Sequence, residues 1–352
     1  MESKIIGVGN CIPSESITNL FFEQHKFLDE AGDQLKQDNA TIADKLKEIT
    51  GIEERRYAAK NQVTSDLGFI AAQAAIEDAG IDPETLDYII FAHNFGDVPF
   101  GTIQSDTVPS LASRVKNLLK IKNNFCVAYD VLFGCPGWIE GMIQANAFIK
   151  AGIAKRCLVI GAETLSRVVD IHDRDSMIYG DGAGAAILEL SDNDAGIKSH
   201  LTCSFTFKEK DYLYFGKSNN NESNQDIRYL KMNGRKIYEF ALKSVPGAMK
   251  KCLDDSGYTI DQLDKIIIHQ ANEKMDDAIV SRFYQLYNTA VPENIMPMVI
   301  HKLGNSSVAT IPSLLTMIKN EELAAHSLEA GHVVLFASVG AGMNVNAFVY
   351  RF

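Results

Sequence analysis

Residues 77–90, with the sequence EDAGIDPETLDYII, have a counterpart in residues 254–267, with the sequence DDSGYTIDQLDKII. Gly80 of the first copy corresponds to Gly257 of the second, 177 positions later. In each copy a helical pattern ends at a glycine suited to a left-handed cap, and a short loop then leads into a β-branched strand. The chain is therefore predicted to consist of two similar halves.

A second pair of segments supports the same duplication. Residues 138–150 are predicted to form a helix that leads into a strand at 157–160, and residues 311–328 are predicted to form a helix that leads into a strand at 333–336. Strands that are apolar throughout indicate sheets covered by helices on both faces. The predicted fold class is α/β, and the two halves are placed at 1–192 and 193–352.

The composition of the chain excludes several classes of protein. With 352 residues, 46% hydrophobic and 22% charged, the chain has the composition of an ordinary globular protein. A formal net charge of -11 and the lack of a basic block argue against a nucleic-acid binder. The N-terminus lacks the apolar core of a signal peptide, and the uncharged stretch 333–350 suits buried strands better than a membrane helix. We therefore expect a cytoplasmic protein without a membrane segment.

The cysteines indicate neither disulfides nor a zinc site. The six cysteines include no CxxC pair and have no zinc-like spacing with histidine. Free thiols in a reducing compartment are the simplest explanation, and no metal is expected.

Two segments interrupt the repeated pattern. Phe21–Glu48 is predicted to be a charged amphipathic helical stretch, and Lys208–Ile227, rich in Asn, Ser, Lys and aromatic residues, is predicted to be a surface insertion. Either segment could shape a substrate entrance or simply form solvent-exposed surface. A solvent-exposed surface is favoured for most of their residues.

Three short, widely spaced segments carry side chains that suit one active site. They are Gly134–Gly137 with Cys135, His269–Asn272, and Gly304–Ser307 with Asn305. Cys135 follows a strand pattern and precedes an apolar helix, where the positive end of the helix dipole favours a thiolate. His269 ends an apolar strand, at the sheet edge where ligands gather in open α/β sheets. A Cys with a distant His and Asn is typical of nucleophilic thiol catalysis.

Structural alternatives exist for each of these residues. Cys135 could be a small buried residue, His269 a hydrogen-bonded structural histidine, and Asn305 a turn or cap residue. The competing histidines His93, His172 and His301 lack comparably suggestive neighbours.

One glycine-rich stretch resembles a dinucleotide-binding fingerprint only superficially. Gly180–Ala185 is followed by a strand pattern at 186–190, whereas the fingerprint requires a helix at that point. A dinucleotide site is therefore rejected.

These motifs together resemble the β-ketoacyl-acyl carrier protein synthase III family of thiolase-like condensing enzymes over almost the whole chain. The matching segments are Thr50–Arg55, Asp130–Gly137, Glu163–Arg167, Gly180–Ala185, His269–Asn272, Gly304–Ser307 and Gly340–Phe352. The resemblance implies a five-layered αβαβα fold made of two duplicated halves, and a homodimer.

The resemblance also implies a reaction and the residues that perform it. Cys135 would be the nucleophile that accepts an acyl group, and His269 and Asn305 would assist decarboxylative condensation with a malonyl-type extender on acyl carrier protein. The backbone N–H of Cys135 and one from the Gly340–Gly342 turn would form an oxyanion hole. Lys274 would contact the phosphate of phosphopantetheine. No metal or organic cofactor is implied.

Several positions depart from the family pattern and bear on the acyl donor. Relatives that use acetyl-coenzyme A commonly carry a Trp and an Arg before the Thr-Gly-Ile motif, whereas this chain has Lys45–Ile49. Val108 stands before Pro109 where a bulky aromatic residue often limits the acyl pocket. We expect a longer or unusual acyl donor and a specialised branch, with the dialkylresorcinol-forming ketosynthases as the narrower hypothesis.

Two other functions are open at this stage. Cys135 could pass its acyl group to an alcohol or an amine without decarboxylation, or the chain could be a non-catalytic partner subunit that keeps the fold for dimerisation. The presence of Cys135, His269 and Asn305 together favours condensation over both, and a hydrolytic thiol enzyme is less favoured still.

Overall fold

The computed structural model describes residues 2–352, in which two sheets alternate with layers of helices. The strands are β1 (Ser3–Cys11), β2 (Glu15–Thr18), β3 (Glu54–Tyr57), β4 (Tyr88–His93), β5 (Val127–Leu132), β6 (Arg156–Thr164), β7 (Asp181–Leu190), β8 (Gly196–Ser204), β9 (Leu213–Gly216), β10 (Tyr229–Met232), β11 (Leu263–Ile268), β12 (Val333–Gly340) and β13 (Asn344–Arg351). The α-helices are α1 (Asn39–Thr50), α2 (Thr64–Ala79), α3 (Leu111–Leu118), α4 (Gly137–Lys150), α5 (Thr206–Glu209), α6 (Gly234–Ser256), α7 (Glu273–Gln285), α8 (Ile300–Leu303) and α9 (Thr310–Lys319).

Each large sheet combines parallel and antiparallel strands. The first has the order β1-β7-β6-β4-β5, in which β4 runs parallel to β5 and β6. The second has the order β11-β12-β13-β8, in which β11 runs parallel to β12. The strands of the first sheet lie within residues 3–190 and those of the second within residues 196–351. The domain boundary at residue 192 remains a prediction.

Alternating side chains divide the molecule into five layers. In β12, Val334 and Phe336 point into a core shared with α4 and α9, while Val333 and Leu335 point into a second core with α6 and α7. In β4, Ile90 joins the shared core and Ile89 joins a third core with α2 and α3. The period of two along each strand therefore covers both faces of each sheet with helices. This arrangement confirms the predicted αβαβα fold.

The repeat that was predicted from the sequence is present in the backbone. Helix α2 ends at Gly80 with φ 61°, and helix α6 ends at Gly257 with φ 82°, both in the left-handed conformation. Strands β4 and β11 follow these caps in the two halves. A residue with a Cβ is disfavoured in this conformation, which explains the glycine in both copies.

The helix predicted over residues 311–328 is shorter than expected. Helix α9 ends at Lys319, and Glu321 has φ 60°. The N–H groups of Glu321 and Glu322 bond back to the Ile318 and Met317 carbonyl groups, which closes the helix with a turn. The prediction was wrong here because no glycine marks the end of this helix.

The prediction of a continuous helical stretch over Phe21–Glu48 was also wrong. A 3-10 helix ends at Gln24, and α1 starts only at Asn39. The Asp38 carboxylate accepts a hydrogen bond from the Thr41 N–H (2.8 Å), so it caps α1 and fixes its start. Between the two helices the chain turns inward to bury Phe27.

The segment Lys208–Ile227 is not only an exposed surface insertion, because it contains a paired strand. Strand β9, inside this segment, pairs with β10 as an antiparallel ribbon. The Lys231 ammonium group on β10 is buried and bonds to Asp170 and Asp173, at 2.7 and 2.9 Å. The ribbon is therefore tied to the body of the protein, so β9 can form part of a cavity wall.

Within residues 2–352, no helix combines the length and the apolar character needed to cross a membrane.

Candidate active site

Cys135 lies in the short connection between β5 and α4. Gly134, with φ 74°, turns the chain at the end of the strand, and Pro136 is the N-cap residue of α4. The Gly137 N–H bonds to the Gly134 carbonyl oxygen (2.9 Å), so the turn is closed on itself. The sulfur thus sits at the start of a helix, as the sequence predicted.

Burial opposes the thiolate that the helix end is predicted to favour at Cys135. Burial raises the pKa of the Cys135 thiol to about 11. The hydrogen bond from Ser307 lowers this pKa, while the charge of Glu163 raises it. Removal of the sulfur from water therefore outweighs the hydrogen bonds that lower this pKa.

A glycine turn packs directly against the cysteine backbone. A Cβ built on Gly340 would lie 2.6 Å from the Cys135 nitrogen and 2.9 Å from its Cβ. Gly342, with φ 74°, follows in the same turn and lines the cavity beside Cys135. Only glycine permits this approach at position 340, so the Gly340 backbone lies directly against the Cys135 N–H.

Asn305 is held by its backbone and by its side-chain oxygen. Its backbone N–H donates to the Ile178 carbonyl oxygen (2.9 Å), and its carbonyl oxygen accepts from the Gly180 N–H (2.9 Å). Its Oδ1 accepts a hydrogen bond from the Ser307 N–H (2.9 Å). The Asn305 Nδ2 amide has no partner within residues 2–352 and is available as a donor.

His269 directly follows β11, and it is buried. Its backbone N–H bonds to the Ala337 carbonyl oxygen (3.0 Å), three residues before Gly340 on the neighbouring strand. Its Nδ1 atom is buried without a hydrogen-bond partner among the described residues. Burial lowers the pKa of His269 to about 4, so the imidazole is neutral at neutral pH and keeps one N–H.

The rest of the His-Gln-Ala-Asn motif fixes the backbone around His269. The Gln270 side chain donates to the Pro297 oxygen (2.7 Å) and accepts from the Val299 nitrogen (2.9 Å). The Asn272 side chain caps α7 by accepting from the Met275 nitrogen (3.0 Å).

Two cavities meet at Asn305. The first, of about 340 Å³, is lined by Cys135, Asn305 and Ser307 together with aromatic and aliphatic side chains. The second, of about 500 Å³, is lined by Asn305, Asn272, apolar and cationic side chains, and the carboxyl group of Asp175. Among the described residues, the two walls include Cys135 and Asn305 but not His269. The structure therefore brings Cys135 and Asn305 to one cavity, and it pairs the His269 backbone with the strand that leads into the Gly340 turn.

Lys274 does not line either cavity. Its ammonium group lies 3.6 Å from the Glu48 carboxylate, and both side chains are largely exposed. Three other cationic residues line the second cavity: Lys45, Arg174 and Arg235. The sequence reasoning missed them, although Lys45 belongs to the stretch that departs from the family pattern.

The three competing histidines lie outside both cavity walls. His93 pairs with the Asp130 carboxylate (3.0 Å) and accepts from the Gly96 N–H (3.0 Å), which is a structural role. The His172 ring contacts the Lys26 carbonyl oxygen (2.9 Å). His301 is half-buried on α8.

All six cysteines are free, and residues 2–352 contain no cluster of three His, Cys, Asp or Glu side chains that could hold a metal ion. The expectation that the protein needs no cofactor remains a prediction.

The chain is similar to known proteins over its whole length. Residues 129–204 match the family model of 3-oxoacyl-[acyl-carrier-protein (ACP)] synthase III, and residues 253–352 match its C-terminal model. The β-ketoacyl-[acyl-carrier-protein] synthase III of Paracoccus denitrificans (strain Pd 1222) is 31% identical over 98% of both chains. That of Ruegeria pomeroyi is 32% identical over 98% of this chain and 97% of its own.

A solved structure shows the same fold. The crystal structure of 3-oxoacyl-[acyl-carrier-protein] synthase III from Aquifex aeolicus has a TM-score of 0.80 and 29% identity, covering 99% of this chain and 100% of its own. With this shared fold and the full-length sequence similarity, the chain belongs to the β-ketoacyl-[acyl-carrier-protein] synthase III family.

Proposed function

We propose that this protein is an acyl-thioester condensing enzyme that works through Cys135. In the first step Cys135 takes an acyl group, and in the second a decarboxylating malonyl-type extender attacks that group. The observation that carries the proposal is the cavity shared by the Cys135 sulfur and the Asn305 amide, with the Gly340 turn packed on the cysteine backbone. Family membership supports the same reaction.

The first step transfers an acyl group from coenzyme A or a carrier protein. The Cys135 sulfur attacks the thioester carbonyl carbon, a new carbon–sulfur bond forms, and the carrier thiol leaves with the thiol proton. Negative charge develops on the carbonyl oxygen. The Cys135 N–H and an N–H of the Gly340–Gly342 turn are the donors we assign to that oxygen.

The second step needs donors for a different oxygen. When the extender on acyl carrier protein loses carbon dioxide, its electron pair moves onto the thioester carbonyl as an enolate. The Asn305 Nδ2 group is free to donate to this oxygen, and we assign the neutral His269 imidazole as the second N–H donor. The carbanion then attacks the acyl carbonyl and expels the Cys135 thiolate, which leaves a 3-oxoacyl product on the carrier.

The second cavity is our candidate route for the phosphopantetheine arm. It ends at Asn305, and its wall combines apolar side chains such as Leu46 and Met275 with the exposed cations Lys45, Arg174 and Arg235. Apolar walls suit the arm, and exposed cations suit its phosphate. The role predicted for Lys274 remains a prediction, since Lys274 does not line this cavity.

The first cavity is our candidate acyl pocket. Phe215 on β9 stacks on Phe95 with ring centroids 4.9 Å apart, and both rings line the cavity. Val108 is 84% exposed and lies outside the walls of both cavities. We assign the limit of the pocket to the Phe95–Phe215 stack, and a donor longer than acetyl suits the apolar lining.

A homodimer is also part of the proposal. Strand β5 is an edge strand that pairs only with β4 within the described residues. Phe125, Val127 and Leu132, on or beside this edge, are 89%, 46% and 71% exposed. An exposed apolar edge strand is suited to pairing with a second copy.

The proposal is tested by following carbon dioxide and product together. The wild-type enzyme, given acyl thioesters of several chain lengths and then malonyl-acyl carrier protein, should release carbon dioxide and form a 3-oxoacyl product in equal amounts. Cys135→Ala should form no product. Acyl transfer to an alcohol or amine without release of carbon dioxide would overturn the proposal in favour of a plain acyltransferase. No turnover and no acylation would favour a partner subunit.

A further inference from the structure

A chain of hydrogen bonds leads from a buried carboxylate to the Cys135 sulfur. The Glu163 Oε1 atom accepts from the Asn94 backbone nitrogen (2.5 Å) and from the Asn94 Nδ2 group. The Nδ2 group also donates to the Ser307 Oγ atom (3.0 Å). The Ser307 hydroxyl donates to the Cys135 Sγ atom (3.3 Å).

The direction of each bond follows from the chemistry of its atoms. An amide nitrogen can only donate, so the Ser307 oxygen must accept from Asn94. A hydroxyl has a single hydrogen, which is then left for the sulfur. The Glu163 Oε2 atom is buried without a partner in the described residues, so it can carry a proton while Oε1 still accepts from Asn94.

Ser307 adopts a conformation that is unusual for its residue type. Its φ of 54° lies in the left-handed region, where a residue with a Cβ is strained. In that conformation the Ser307 N–H holds the Asn305 side chain (2.9 Å) while its hydroxyl reaches Cys135. One strained residue thus contacts both candidate catalytic groups, and such strain is concentrated at functional sites.

We propose that Ser307 is a further catalytic residue, whose hydroxyl stabilises the Cys135 thiolate, and that Asn94 is the positioning residue that aims this hydroxyl at the sulfur. The inference rests on the proposed function, in which Cys135 is the nucleophile. No covalent bond to Ser307 forms, since the thiol proton leaves with the carrier thiol and the hydroxyl only donates a hydrogen bond to the charge on sulfur.

Burial explains why such a donor is needed. It raises the pKa of Cys135 to about 11, and the Ser307 hydrogen bond opposes that rise. Glu163 acts on the thiol in two opposite ways, because its charge disfavours the thiolate while its bonds to Asn94 orient Ser307. Other titratable groups nearby are Tyr179, which lines the same cavity, and His93 and Asp181, which act on Glu163.

The test measures the alkylation rate of Cys135 by iodoacetamide against pH, read by peptide mass spectrometry. Loss of a hydrogen bond to a charged atom is expected to slow alkylation near neutral pH by about tenfold or more in Ser307→Ala and Ser307→Gly. The glycine variant removes the same hydroxyl at a backbone conformation that suits glycine. Asn94→Ala should shift the pH profile upward in the same sense, because it removes the group that directs the Ser307 hydroxyl at the sulfur.

Cys203 is a reference thiol within each sample, since it is half-buried and lies outside both cavity walls. An unchanged alkylation rate at Cys203 shows that a variant is folded. A wild-type profile at Cys135 in both hydroxyl-deletion variants would overturn the role of Ser307, and a wild-type profile in Asn94→Ala would overturn the positioning role. Alkylation needs no thioester, so failure of Cys135 to accept acyl groups would refute the proposed function separately.

Discussion

His269 offers the sharpest quantitative prediction, because its burial fixes its charge. Burial lowers its pKa from 6.5 to about 4, so at pH 6 only about one molecule in a hundred carries the imidazolium. The neutral ring donates one hydrogen bond and does not titrate between pH 5.5 and 8. His269→Ala should therefore spare acylation of Cys135 and slow condensation by roughly 10²-fold or more.

The same shift predicts a difference in stability between two pH values. The unfolded chain binds a proton on this histidine near pH 6.5 and the folded chain does not, so the stability that the neutral His269 provides is present above pH 6.5 and is lost as the pH falls towards 4. Between pH 7.5 and pH 5 the wild-type free energy of unfolding should fall by about 2 kcal/mol more than that of His269→Ala.

Two assays check these expectations. Guanidinium unfolding at pH 7.5 and pH 5 compares the wild type, His269→Ala and a control, His301→Ala, whose half-buried ring lies outside both cavities. Rapid mixing of preloaded acyl-enzyme with malonyl-acyl carrier protein measures condensation against pH. An equal loss of stability in the wild type and His269→Ala, or a break in the condensation rate near pH 6.5, would show that the folded protein does not hold His269 neutral.

Four further predictions concern the two cavities and the β5 edge. Asn305→Asp keeps an oxygen for the Ser307 N–H but loses the Nδ2 donor, so single-turnover condensation should fall roughly 10²-fold or more while acylation persists; equal loss of both steps would contradict this. Phe215→Ala opens the stack on Phe95, so competition between acyl donors should shift towards longer chains; the exposed Phe207→Ala is the control, and an identical preference in both variants would contradict the pocket assignment. Arg235→Ala should raise the KM for acyl carrier protein and leave the rate of Cys135 alkylation unchanged; an unchanged KM would show that Arg235 does not contact the phosphopantetheine arm. Val127→Lys should give monomers in sedimentation experiments whereas Val291→Lys, at a similar exposure of 43%, should not; a dimeric Val127→Lys protein would place the interface elsewhere.

The parts of the fold that local chemistry determines could be predicted from the sequence. The glycine caps at Gly80 and Gly257, the apolar strands after them and the turn before α4 are each specified by neighbouring residues. The path of Phe21–Glu48 could not be predicted, because it depends on burying Phe27 against distant residues. Its charge pattern alone favoured a helix.

The site was predicted in its residue types but not in its electrostatics. Cys135, His269 and Asn305 stood out because each follows a strand or a glycine turn. The raised pKa of Cys135 has no local signal, because the burial that causes it comes from elements far apart in the sequence. The Ser307–Cys135 contact joins residues 172 positions apart, so only the folded chain reveals it.

Intact-protein mass spectrometry after incubation with acyl thioesters shows whether Cys135 accepts the acyl group. The wild type should carry one acyl adduct per chain, located on Cys135 by peptide mapping, and His269→Ala should carry the same adduct. Cys135→Ala should carry none. Absence of an adduct from the wild type with every donor, or an adduct that persists in Cys135→Ala, would contradict the account.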